Sequence, residues 1–268
     1  MCLPKNHIKF GPHYKAAIST IIFGCAKRNI RKHYLIGSVI GALQAKNIGK
    51  NDIALFEFGV ASGGGYRVLL DIAELINKYL KMNVRVIGFD NRDGLPEPKD
   101  FRDHPEIWTK NQFAMGAIRY EELDNEAKNR NGELIIGDIA NTLKNYCPKN
   151  KKGEPTTIAF CSIDVDYYSS TTPILEWFKY LDVNYLLPAI PVYFDDVLNN
   201  WCYSSKTGEE LAINEFNQNN EIRHIELKDR NTKLYALHCL DHPIRNINEL
   251  NYVGLEIFVK DLKSYYWR

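Results

Sequence analysis

The run Ile53-Ala54-Leu55-Phe56-Glu57-Phe58 passes directly into Gly59 and the cluster Gly63-Gly64-Gly65, then into Val68, Leu69, Ile72, Leu75, Ile76 and Tyr79 on one helical face. A short, nearly uninterrupted apolar run suits a strand covered on both sides, the glycines suit a tight turn, and the 3.6-residue spacing that follows suits a helix. A second β-branched run, Val84 to Phe89, closes a strand–helix–strand unit whose crossover should be right-handed. A chain built around such a unit is committed to a parallel sheet with helices on its faces.

The alternation continues. Strands are expected at Glu133–Ile136, Thr157–Ile163 and Ile190–Phe194, with a helix at about Ile139–Tyr146 between the first two. Thr172-Pro173 reads as an N-cap with proline at the first helical position, opening a helix through Tyr180. Thr207-Gly208-Glu209-Glu210 reads as a capping box. Ile222–Leu227 and Lys233–Cys239 form a closing strand pair, while helical spacing at Tyr14–Cys25 and Tyr34–Lys46 precedes all the strands. The expectation is an α/β fold with about seven mostly parallel strands. The 268 residues divide into an N-terminal helical extension (1–50), one sheet domain (51–240) and a C-terminal extension (241–268) packed on it.

Charge demotes some partners. Lys+Arg 34 against Asp+Glu 33 leaves a formal +1, so no overall field draws the chain onto nucleic acid. Six cysteines at 2, 25, 147, 161, 202 and 239 form no C-x-x-C pair. The first residues lack the apolar stretch of a leader or a membrane span, and a cytoplasmic, reducing location is expected.

In an open parallel sheet, ligands bind beyond the carboxyl ends of the strands. There Gly59 and Gly63, with Glu57, Ala61 and Ser62, make a loop that a ligand can approach without meeting a Cβ; its spacing is not that of a nicotinamide-binding turn. Asp90 ends the second strand, where an acid can accept from both hydroxyls of a ribose. Asp138, after the third strand, is either near the base edge of the same ligand or the N-cap of the next helix. Asp164 and Asp166 follow the fourth strand, and Asp195 and Asp196 the fifth. Neighbouring strand ends should gather Asp164, Asp195 and Asp196, and unit charges ~4 Å apart repel by about 4 kcal/mol at an effective dielectric of 20. Retained protons or a hard cation must offset that repulsion, and an all-carboxylate set favours Mg²⁺ over zinc. Asp166 joins them only if the strand continues past Ile163. The segment Asn91–Arg119, with three prolines and little strand signal, is expected to cover the site.

These residues resemble a known family. Glu57-Phe58-Gly59 with Gly63–Gly65, Phe89-Asp90 with Gly94-Leu95-Pro96, Asp164-Val165-Asp166-x-Tyr168-x-Ser170-Thr171, and Asp195-Asp196 are together similar to the motifs of class I S-adenosylmethionine-dependent methyltransferases. Within that group the likeness is to the macrocin O-methyltransferases, which methylate sugar hydroxyls with a bound Mg²⁺. It runs from about Ile53 to Phe216 and departs at Asn91-Arg92-Asp93, in the long segment Asp182–Pro191, and in the C-terminal extension.

The resemblance implies a Rossmann-like fold and Mg²⁺-assisted transfer of a methyl group from S-adenosylmethionine to a hydroxyl of a sugar or glycan-like small molecule. Glu57, Gly59, Ala61, Ser62, Gly63, Asp90 and Asp138 would hold the donor, Asp164, Asp195 and Asp196 the metal, with Asp164 removing the proton. His13, His33 and His104 are alternative bases. Rival readings are methylation of a phenolic or other non-sugar hydroxyl, and a donor-binding assembly partner without turnover. Ile18, Ile21 and Ile22 suit packing against the chain's own core or against a second copy in a homo-oligomer.

Overall fold

The computed structural model describes residues 16–17, 19–21, 31–198 and 201–245. The alternation of apolar runs resolves into β1 (Asp52–Phe58), β2 (Asn83–Asp90), β3 (Gly132–Ile136), β4 (Thr157–Ile163), β5 (Ala189–Phe194), β6 (Arg223–Asp229) and β7 (Leu234–Cys239). They form one sheet in the order β3-β2-β1-β4-β5-β7-β6, and the strands from β3 to β5 are parallel throughout. β7 runs antiparallel between β5 and β6. β1 and β4 are buried along almost their whole length, as expected of central strands covered on both sides.

Side chains of β1 alternate between the two faces. Phe56 and Phe58 pack on Trp177 from α5 (Tyr168–Tyr180). Glu57 faces α1 (Lys32–Asn47) and α2 (Gly64–Leu80), where Tyr34 and Gly65 meet it. α3 (Ala117–Asn129) packs on β3. The short α4 (Ile139–Thr142), α5 and α6 (Gly208–Gln218) follow one another across the second face.

Several local expectations are corrected. α5 begins at Tyr168, so Pro173 lies inside the helix and not at its first position. The missing N–H costs one bond to the Ser169 carbonyl, while Asp103 caps the helix start by accepting from the Ser169 amide at 2.8 Å. The expected capping box at Thr207 does not form: Thr207 makes no side-chain cap, and its hydroxyl donates to the Ser204 carbonyl instead. The helix after β3 ends at Thr142, not near Tyr146. Residues 16, 17 and 19–21 are helical, within the segment expected to be so. The C-terminal extension beyond residue 245, Ile18, Ile22 and His13 lie outside the described residues.

Candidate functional site

Residues at the carboxyl ends of β1, β2, β3, β4 and β5 line one cavity of about 300 Å³. Its wall includes Gly59, Ala61, Asp90, Asp138, Asp164, Asp195 and Asp196, and the segment after β2 closes it with Leu95, Pro96, Trp108 and Phe113. That segment thus covers the cavity as the sequence suggested, and it is pinned in place. Asp103, 1% exposed, accepts from Ser169 Oγ at 2.8 Å and from the Lys99 amide at 2.8 Å, besides capping α5. Gly94 turns the segment with φ +85°, and the Pro96 carbonyl accepts from Tyr167.

At the β1 end, Gly59 (φ +86°) turns the chain between strand and loop. A Cβ there would lie 1.7 Å from the Asp164 carbonyl oxygen, so the absent side chain first makes room for the β4 loop. Asp90 Oδ2 accepts from the amides of both Val60 and Ala61, at 2.7 Å each, and folds the glycine loop around itself. No described residue donates to its Oδ1. Burial holds the Asp90 carboxyl above its ordinary range against the pull of those two amides.

Glu57, Ser62 and Gly63 stand off the cavity wall. Glu57 is buried behind the loop, where Oε1 accepts from Tyr34 at 2.9 Å, and Tyr34 accepts in turn from Ser162 at 2.7 Å. Gly63 caps α2 against Leu123, and Ser62 is exposed. Asp138 is the N-cap of α4, Oδ1 accepting from the Ala140 and Asn141 amides at 3.0 and 3.3 Å, and the residue also lines the cavity.

The register of β4 with β5 pairs Ile163 with Phe194, so the residues that follow emerge side by side. Asp164, Asp195 and Asp196 each place a carboxylate oxygen within 4.8 Å of the others. Burial, then the charges of Asp195 and Asp196, push the Asp164 carboxyl up to about 7. Asp195 accepts from the Tyr193 hydroxyl, and Lys233 Nζ lies 3.8 Å from its Oδ1. Asp196 Oδ1 accepts from Tyr203, whereas Oδ2 is buried with no hydrogen-bond partner. Three converging carboxylates with one orphaned buried oxygen fit a hard, oxygen-seeking cation.

Sequence reasoning left Asp166 undecided and missed Glu209 as part of the site. Asp166 turns back in the left-handed region (φ +61°) at the edge of the cluster; burial, then the Asp196 charge, raise its carboxyl to about 9. Glu209 is fully buried beneath both acidic loops. Neither His33 nor His104 is on the cavity wall. His33 stacks on Tyr193 at 4.1 Å, and burial lowers it to about 4. His104 is buried, with Nδ1 3.0 Å from Glu106.

No family model matches the sequence, and no curated protein matches it either. Solved structures do. The calicheamicin methyltransferase CalS11 is 20% identical, with 87% of this chain and 95% of that one covered and a TM-score of 0.58. A second structure of CalS11, described as a TDP-rhamnose 3'-O-methyltransferase, gives 18% identity, 85% and 95% coverage and a TM-score of 0.46. The O-methyltransferase NovP gives 16% identity, 88% and 83% coverage and a TM-score of 0.49. Strand order, the cavity at the strand ends and the likeness to CalS11 agree: the chain has the Rossmann-like fold of the class I methyltransferases.

Proposed function

We propose that the protein is an S-adenosylmethionine-dependent O-methyltransferase acting, with the help of Mg²⁺, on a hydroxyl of a sugar or glycan-like small molecule. The carrying observation is the joining of two half-sites in one cavity: the Asp90-organised glycine loop at one end and the Asp164, Asp195 and Asp196 cluster at the other. A sugar acceptor draws support from the likeness to CalS11, which is described as a TDP-rhamnose 3'-O-methyltransferase.

Asp90 Oδ1 would accept from the ribose hydroxyls, and Gly59 and Ala61 would bring backbone against the methionine part of the donor. Asp138 and Ile139 line the far end, where a base would lie. The donor, when bound, supplies an electrophilic methyl group on a sulfonium. Asp164, Asp195 and Asp196 would hold Mg²⁺, which when bound lowers the pKa of an acceptor hydroxyl and fixes its orientation. Asp164, beside the acceptor hydroxyl, would take its proton. Trp108, Phe113, Leu95 and Pro96, which line the cavity, would limit the access of bulk water to the reacting atoms.

The test is a mass-spectrometric transfer assay with S-adenosylmethionine and Mg²⁺ over a panel of nucleotide sugars, free glycosides and catechol-type phenols. Methylated sugar, lost in Asp195→Asn, is expected. Methylation confined to phenols would overturn the sugar reading. Donor binding without turnover on any acceptor would favour an assembly role.

A further inference from the structure

Glu209 is the second residue of α6 and is fully buried. Its carboxylate does not bond back to its own helix start. Oε2 accepts from the Asp196 amide at 3.0 Å, and Oε1 accepts from the Val165 amide at 3.4 Å. Those two amides belong to different loops, one leaving β4 just after Asp164 and the other leaving β5 at Asp196 itself. Among the described side chains, Glu209 alone accepts from the backbone of both loops. The start of α6 is itself fixed: Gly208 adopts φ +56°, and a Cβ there would lie 3.1 Å from the His104 ring of the covering segment.

Burying a carboxylate beside other acids is costly unless it is bonded, and here both oxygens are bonded to the two loops and not to the amides of the helix itself. From this geometry we infer that Glu209 is a positioning residue, which sets the spacing of the Asp164 and Asp196 carboxylates and so tunes the cation site to Mg²⁺. One rigid group spans both amides, so the two loops cannot separate without breaking one of its bonds. Mg²⁺ demands near-octahedral oxygen geometry at about 2.0–2.1 Å, whereas Ca²⁺ accepts irregular shells at about 2.3–2.6 Å. Loosening the bridge should therefore weaken Mg²⁺ more than Ca²⁺. The inference rests on the proposed metal site.

The experiment is calorimetric titration of the full chain with Mg²⁺ alone and with Ca²⁺ alone, in the unaltered protein, Glu209→Gln and Glu209→Asp. Glutamine turns an N–H donor toward one of the two amides, and aspartate is a methylene too short to reach both. The product S-adenosylhomocysteine serves as the folding control. Mg²⁺ affinity should fall at least tenfold and Ca²⁺ affinity less than threefold, with product affinity within twofold. Should both Glu209 variants fail to fold, Gly208→Ala, strained at φ +56°, displaces the start of α6 and Glu209 with it while altering no carboxylate chemically, and the same shift is expected. Mg²⁺ binding within twofold of the unaltered protein, or equal weakening of both ions, would overturn the positioning role while leaving the metal site standing. Absence of Mg²⁺ binding in the unaltered protein would instead bring down the metal reading, and this inference with it.

Discussion

Gly65 lies so close to Glu57 that a Cβ on the glycine would sit 1.9 Å from Glu57 Oε1. The buried carboxylate therefore occupies the space of a side chain at the start of α2, and the Tyr34 and Ser162 hydroxyls hold it there. Gly65→Ala must expel Glu57 or tilt the helix that ends the glycine loop. A loss of about 1–3 kcal/mol in stability is expected, with at least tenfold weaker binding of S-adenosylhomocysteine. Gly64→Ala is the matched control, because a Cβ there meets nothing within 4 Å. Thermal melts and calorimetry on the pair check this, and equal behaviour of the two variants would refute it.

Asp90 divides its oxygens between the protein and the ligand. Oδ2 is committed to the Val60 and Ala61 amides, so Asp90→Asn can keep the loop folded by presenting its carbonyl oxygen there, leaving an N–H₂ donor where Oδ1 stood. Product affinity should drop by about 1–3 kcal/mol, with the melting temperature little changed. Calorimetry with S-adenosylhomocysteine measures it; an affinity equal to that of the unaltered protein would exclude Asp90 from ribose binding.

Asp103 fastens the covering segment to α5 through Ser169 and to its own backbone through Lys99. Asp103→Ala removes a helix cap and strands two amides and a hydroxyl, at a cost of about 1–3 kcal/mol. The freed segment should become sensitive to limited proteolysis between residues 97 and 116, with bound product restoring protection. An unchanged digestion pattern would mean that the cover is held elsewhere.

The strands were legible because apolar runs of central parallel strands have few other uses, and the acidic cluster because neighbouring strand ends bring their next residues together. The expectation failed where one local signal had two outlets. Thr172-Pro173 looks like a helix start, yet a buried acid 69 positions earlier, Asp103, caps the helix a turn upstream. Thr207–Glu210 looks like a capping box, yet the neighbouring Glu209 turns its carboxylate to two loops distant in sequence. Glycine spacing showed where the chain bends but not what approaches: at Gly59 it is the Asp164 carbonyl. Asp166 belonged to neither strand nor helix, and its left-handed turn toward Asp196 has no pattern in sequence.

The acidic cluster also sets how stability depends on pH. Asp164 and Asp166 are held at about 7 and about 9, against an ordinary value of 3.8, burial being the largest cause for each. In the unfolded chain both are ionised well below neutrality, so the folded state binds more protons throughout that window, and stability must fall as pH rises. Below about 6.5, His33 works the other way, because the unfolded chain takes up a proton that the buried ring, lowered to about 4, refuses. The clean window is therefore above 6.5. Between pH 6.5 and 8.5 the metal-free protein should lose up to about 1.4 kcal/mol per pH unit for each retained proton, seen as a falling urea midpoint. Mg²⁺ should flatten that slope by taking over the neutralising role of the protons, and Asp166→Asn should reduce it without added metal. A midpoint that rises over this interval, or is indifferent to both Mg²⁺ and Asp166→Asn, would mean that the carboxylates do not share their charge as the geometry requires.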